Sequence, residues 1–200
     1  MFIYYAGHGA PEVDLGGHEP DGFAKYLVPH DARSNDLYAS AINMAEVESM
    51  LGRIKAETVV MALDTCYSGA GSGRGFANLP PGRRDMTLSS AFLDRLGHGR
   101  GRAILMAADA NEVALEVSEL GHGLFTYHLL EALQGRADAE AKGYVTLDDL
   151  YRYVHERVAR RSRELGGNQN PKLVTQSVGE IVLVGRPAAK ADRSNVTAPR

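Results

Sequence analysis

The sequence predicts an α/β layered fold around a mostly parallel sheet, because short apolar runs of strand length alternate with amphipathic helical patterns. Residues 2–6, 58–63, 103–107 and 181–184 are the runs, rich in β-branched and aromatic residues and apolar on successive positions, as strands covered on both faces require. Residues 43–55 form the first helix: Asn43 and Glu46 have the spacing of a capping box, and Met44, Val47, Met50, Leu51 and Ile54 make one apolar stripe. Further helices are expected over 88–96, 124–134 and 147–164. Thr146 and Asp149 cap the last, which turns Leu150, Tyr151, Val154 and Val158 inward. Tyr26-Leu27-Val28-Pro29 adds a short hairpin strand, flanked by Gly and Asp turn residues.

Two stretches break this order. Residues 69–84 carry five glycines, two prolines and three arginines, a composition that excludes regular structure and predicts a mobile surface loop. Residues 186–200 lose apolar periodicity and read as a disordered tail or linker, leaving 1–185 as one domain. A chain of 200 residues, 44% hydrophobic and 24% charged, is long enough for one substantial core.

Composition also narrows function. A net charge of -3, with Arg and Lys dispersed among Asp and Glu, offers no basic field for nucleic acid. No apolar run approaches the roughly 20 residues that span a bilayer, and the opening Met1-Phe2-Ile3-Tyr4-Tyr5 is too short for a signal-peptide core. The single cysteine excludes an intramolecular disulfide and suits a reducing, cytoplasmic setting.

Cys66 follows the apolar run Val59-Val60-Met61-Ala62-Leu63, at the carboxyl end of a strand, where open α/β sheets place their binding crevice. A lone cysteine is commonly a small buried hydrophobe. Here Asp64, Thr65, Tyr67 and Ser68 make its surroundings polar. A thiol nucleophile needs a base or cation to favour its thiolate. Of seven histidines, His8, His98 and His122 stand in Gly-His-Gly triplets. His8 ends the strand 2–6 and emerges on the same sheet edge as Cys66 if the two strands are neighbours. Gly7 and Gly9 leave room for a substrate backbone and free N–H groups for an oxyanion.

His98 and His122 have structural settings, a glycine-rich loop and a helix entry. His18 and His30 are loop residues, and His128 and His155 lie within helices. No histidine pair has metal-ligand spacing with the sole cysteine, so neither a metal nor another cofactor is expected. Asp148-Asp149 reads as a helix start.

Tyr4-Tyr5-Ala6-Gly7-His8-Gly9 and Asp64-Thr65-Cys66-Tyr67-Ser68-Gly69 resemble the two active-site motifs of the caspase and metacaspase superfamily, with bacterial metacaspase-like proteins the nearest in kind. The order His before Cys and a separation of 58 residues fit the roughly 50 of caspases. Gly121-His122-Gly123-Leu124-Phe125-Thr126 and Asn168-Gln169-Asn170-Pro171 look like later parts of such domains, so the resemblance covers residues 2–185.

It implies a caspase-like three-layer α/β fold and a cysteine-type endopeptidase with a His8–Cys66 dyad, acting on a protein or peptide without a cofactor. Gly9 and Cys66 would supply oxyanion N–H groups. Asp64, two residues before the nucleophile, would line a pocket for Arg or Lys, a carboxylate facing a guanidinium or ammonium; its alternative role is a strand-end cap after Leu63. Ala6 stands where many metacaspases have Ser. Self-cleavage would fall at Arg74, Arg83 or Arg84.

Such domains normally place two strands and a helix before the His strand. The resemblance therefore implies missing first strands and a sheet edge open to a further domain or partner chain. Calcium activation does not carry over, for want of a clear acidic cluster. Two other readings stay open: a non-catalytic caspase-fold interaction module, and a cysteine hydrolase of amides or esters.

Overall fold

The computed structural model describes residues 1–19, 22–66, 95–99, 101–109, 112–176 and 179–185. The predicted loop 69–84 with its three arginines, most of the predicted helix 88–96 and the tail 186–200 lie outside them.

Ten strands are described: β1 (Phe2–Val13), β2 (Phe23–Val28), β3 (Ile42–Asn43), β4 (Val59–Cys66), β5 (Arg102–Met106), β6 (Glu116–Val117), β7 (His122–Gly123), β8 (Tyr144–Thr146), β9 (Lys172–Thr175) and β10 (Val182–Gly185). Four α-helices accompany them: α1 (Leu37–Ser40), α2 (Met44–Arg53), α3 (Leu124–Glu131) and α4 (Leu147–Glu164). A π-turn, Ala132–Arg136, extends α3.

The central sheet has the order β3-β2-β1-β4-β5-β9. Its middle strands β1, β4 and β5 are parallel, as their continuous apolar character requires. β2 and β9 join them antiparallel.

Alternation along the strands sorts the core into two layers. Val59, Met61, Leu63, Ile104 and Met106 pack against Met44, Val47 and Leu51 of α2 on one face. Ala62, Leu105 and Ala107 meet Leu124, Phe125 and Leu129 of α3 and Leu150, Val154 and Val158 of α4 on the other. Full burial of Phe125, Leu124 or Leu150 stabilises by about 1.5–3 kcal/mol per side chain. The architecture is the expected three-layer α/β arrangement. The last helix keeps its expected bounds, because Thr146 and Asp149 close a reciprocal capping box. At α2 the Asn43 side chain alone caps, accepting from Ala45 N–H.

Three expectations need correction. Residues 181–184 do not enter the central sheet: β10 pairs with β8 in a separate two-stranded ribbon, since β9 already holds the place beside β5. The sequence does not announce β9, whose four residues offer only Leu173 and Val174 as apolar signal. β1 does not stop at Ala6. It continues to Val13 because β2 takes over as its partner from His8 onward, so His8 lies inside the strand rather than at its end.

Among the described residues, Phe2 to Gly7 pair on one side only, with β4. Phe2 and Tyr4 stand 38% and 44% exposed on that stretch. No helix among the described residues is long and apolar enough to cross a membrane.

Candidate active site

β1 and β4 are neighbours, and their parallel register sets His8 opposite Cys66 and Ala6 opposite Asp64. Paired strands run about 4.8 Å apart, so the backbones that carry the predicted dyad meet at the carboxyl end of β4. His8 is exposed. Gly9 follows in register with Leu27 of β2, which anchors the His8 segment from the other side. Tyr5 helps fix that hairpin by donating its hydroxyl to Val28 O at 2.9 Å.

A period of two puts Asp64 on the sheet face covered by α3. The first turn of α3 receives it there. Thr126 Oγ1 donates to Asp64 Oδ2 at 2.5 Å, and Tyr4 Oη lies 2.6 Å from the same Thr126 oxygen, so the tyrosine hydroxyl donates in turn. The Thr126 backbone also favours the carboxylate. Gly123, the residue before α3, has no side chain to cap the helix. Asp64 therefore caps it from β4, satisfying amide groups that a helix start leaves open.

Despite those donors, the Asp64 carboxyl is raised above its ordinary range. Burial is the largest cause, and the Glu116 charge adds to it. No cation stands beside Asp64 among the described residues. Burial also raises the Tyr4 hydroxyl, with the Asp64 charge contributing.

Glu116 reaches this neighbourhood through the β6–β7 ribbon, in which it faces Gly123. A Cβ on Gly123 would lie 2.9 Å from Asp64 Oδ2, closer than side-chain carbons approach an oxygen, so only glycine lets the ribbon pass so near.

The loop leading from β5 to this ribbon is pinned from behind by Gln169, which is fully buried. Gln169 Nε2 donates to Ala107 O and its Oε1 accepts from Leu115 N–H, both at 2.9 Å. Glu112 holds the same loop to Asn168 and Asn170.

The structure brings together His8, Gly9, Ala6, Asp64 and the Cys66 backbone. It places the partly buried His128 of α3 against Glu131 at 2.9 Å. His122 lies in β7 between Gly121, a left-handed turn, and Gly123, the residue before α3, which is the helix-entry setting expected for it. Sequence reasoning passed over Tyr4, Glu116, Thr126 and Gln169 as contributors. The signals were present: Tyr4 and Thr126 sit inside the motifs around His8 and His122, and Gln169 inside Asn168-Gln169-Asn170-Pro171. No group of three His, Cys, Asp or Glu side chains among the described residues is placed to hold a metal ion.

A crystal structure of a Geobacter sulfurreducens protein is similar in fold, with a TM-score of 0.51 at 19% identity over 89% of this chain and 66% of that one. The chain thus spans just under two thirds of that protein's length. No curated protein matches it significantly. The family model described as the caspase domain matches residues 1–181, and with the three-layer fold and the paired His and Cys strands this establishes that the chain belongs to the caspase-domain family.

Proposed function

We propose that the chain is a cysteine endopeptidase that cleaves after Arg or Lys, with His8 and Cys66 as its dyad. The observation that carries the reading is the β1–β4 register, which sets those two residues opposite each other. The Cys66 thiolate attacks the scissile carbonyl carbon, and the carbonyl electrons move to an oxyanion held by the N–H groups of Gly9 and Cys66. His8 gives its proton to the leaving amine as the C–N bond breaks, leaving a thioester. Water, deprotonated by His8, then attacks the thioester carbon; the C–S bond breaks, the acid leaves, and the Cys66 thiolate and protonated His8 are restored.

Asp64 would supply specificity. Its carboxylate is held by Thr126, raised by burial and without a cation beside it among the described residues, so a substrate guanidinium supplies the charge it lacks. Glu116 would add a second negative charge at the rim. Arg74, Arg83 and Arg84 are candidate self-cleavage positions.

Turnover of fluorogenic peptides ending in Arg, Lys or Asp tests this. Arg and Lys reporters should be cut, with Cys66→Ala and His8→Gln each about 10⁴-fold slower or worse. Asp64→Asn should lose Arg turnover by about 100-fold, the scale of an unpaired buried charge. Equal turnover by wild type and Cys66→Ala would end the proposal, and a preference for Asp would end its specificity. Bands of equal size from wild type and Cys66→Ala would count against self-processing.

The one-sided pairing of Phe2 to Gly7 favours a second reading, an interaction module to which a strand of another chain adds. Absence of any turnover by a folded chain would favour it.

A further inference from the structure

The connection between the α3 layer and α4 has an architecture unrelated to the dyad. Residues 138–149 read Asp-Ala-Glu-Ala-Lys-Gly-Tyr-Val-Thr-Leu-Asp-Asp. Twelve-residue calcium loops between two helices have an acid at position 1, oxygen ligands at 3 and 5, glycine at 6 and a carboxylate at 12. This loop departs at position 5, which is Lys142, and at position 12, where Asp149 is one methylene shorter than the usual glutamate.

The conformation nevertheless follows that pattern. Asp138, in the first position, accepts Lys142 N–H on Oδ1 at 2.8 Å and Gly143 N–H on Oδ2 at 2.7 Å, closing the loop on itself. Gly143, in the sixth, has φ 87°, the left-handed turn that position demands. Val145 is buried in β8, and Thr146 caps α4.

Lys142 accounts for the departures. Its Nζ lies 2.6 Å from Asp149 Oδ2, a carboxylate only 7% exposed that also caps α4. The fifth position therefore sends a cation, not a ligand oxygen, to the twelfth. The same ammonium lies 5.0 Å from the centre of the Tyr144 ring. Arg152 takes the other Asp149 oxygen at 2.8 Å.

We infer that Lys142 supplies, as a tethered ammonium, the positive charge that a divalent cation supplies in loops of this pattern. The α3–α4 connection is thereby ordered without metal. An ammonium on the twelfth carboxylate both neutralises it and repels a second cation, and a shorter acid there cannot reach a calcium ion with two oxygens.

Thermal unfolding of the full chain, in EDTA and in about 5 mM calcium, above the dissociation constants of weak calcium sites, tests this independently of peptidase activity. The wild type should melt at one temperature in both. Lys142→Gln should melt about 3 °C or more lower in both. Lys142→Asp, which restores an acid at position 5, should melt lower in EDTA and recover in calcium. Adding Asp149→Glu should enlarge that recovery. A calcium-induced rise in the wild type, or Lys142→Gln melting with the wild type, would overturn the assignment. So would failure of both aspartate variants to respond to calcium.

Discussion

Replacing Thr126 with valine keeps the volume of a buried side chain and deletes one hydroxyl, which isolates the bond that holds the Asp64 carboxylate. Two bonds go: Thr126 to Asp64 at 2.5 Å, and Tyr4 to Thr126 at 2.6 Å. A neutral bond contributes about 1 kcal/mol and one to a charged group about 1.5–3. Asp64 is only partly enclosed, so the low end applies, and the loss should be about 2.5 kcal/mol at neutral pH and above.

Titration separates the two parts. Burial raises the Asp64 carboxyl in the folded chain, so the folded state keeps that proton where the unfolded chain has released it. The contribution to stability therefore falls as pH rises from the ordinary carboxylate value through the raised one, and stays low above it. The Thr126 hydroxyl opposes the rise. Without it the folded carboxyl moves higher still, so the cost of Thr126→Val grows across that window. Urea unfolding at about pH 4 and about pH 8 reads this out. Thr126→Val should lose about 2.5 kcal/mol at the higher pH and distinctly less at the lower, while Tyr4→Phe loses about 1 kcal/mol at both. An equal loss for Thr126→Val at the two pH values, or one no larger than that of Tyr4→Phe, would refute the reasoning.

Gly123→Ala places a carbon 2.9 Å from Asp64 Oδ2, so it should lower turnover of Arg reporters by about 10-fold or more, as small misplacements in a positioned site do; far-UV circular dichroism should be unchanged, and full activity would show that the ribbon does not crowd the carboxylate. Glu116→Gln removes an exposed rim charge and should cost about 2–5-fold in kcat/KM for Arg reporters, a cost that shrinks with added salt. A salt-independent effect would argue against a charge role. Gln169→Ala removes the partner of the buried Ala107 O and of the partly buried Leu115 N–H and should destabilise by about 3 kcal/mol in urea titrations; a loss below about 1 kcal/mol would mean that the loop after β5 has other support.

Much of the molecule was legible in the sequence because it depends on local rules. Apolar runs of strand length locate β1, β4 and β5, and a capping box with an apolar stripe locates α4 to the residue. The two motifs identify His8 and Cys66 as the candidate pair. Local rules do not say where a weak segment pairs. Residues 181–184 have the stronger apolar signal, yet 172–175 took the place beside β5 and 182–185 pair with β8. A ladder is won by whichever segment the intervening connection delivers to the edge.

What the sequence by itself determined was the fold class and the two strands that carry the motifs, since periodicity and motif order are properties of the chain alone; that those strands are neighbours was decided by the sheet. The tertiary structure decided the side-chain partnerships, which join residues far apart in sequence. Thr126 and Tyr4 reach Asp64 because α3 packs over β4. Such contacts depend on three-dimensional distance, which no local pattern encodes.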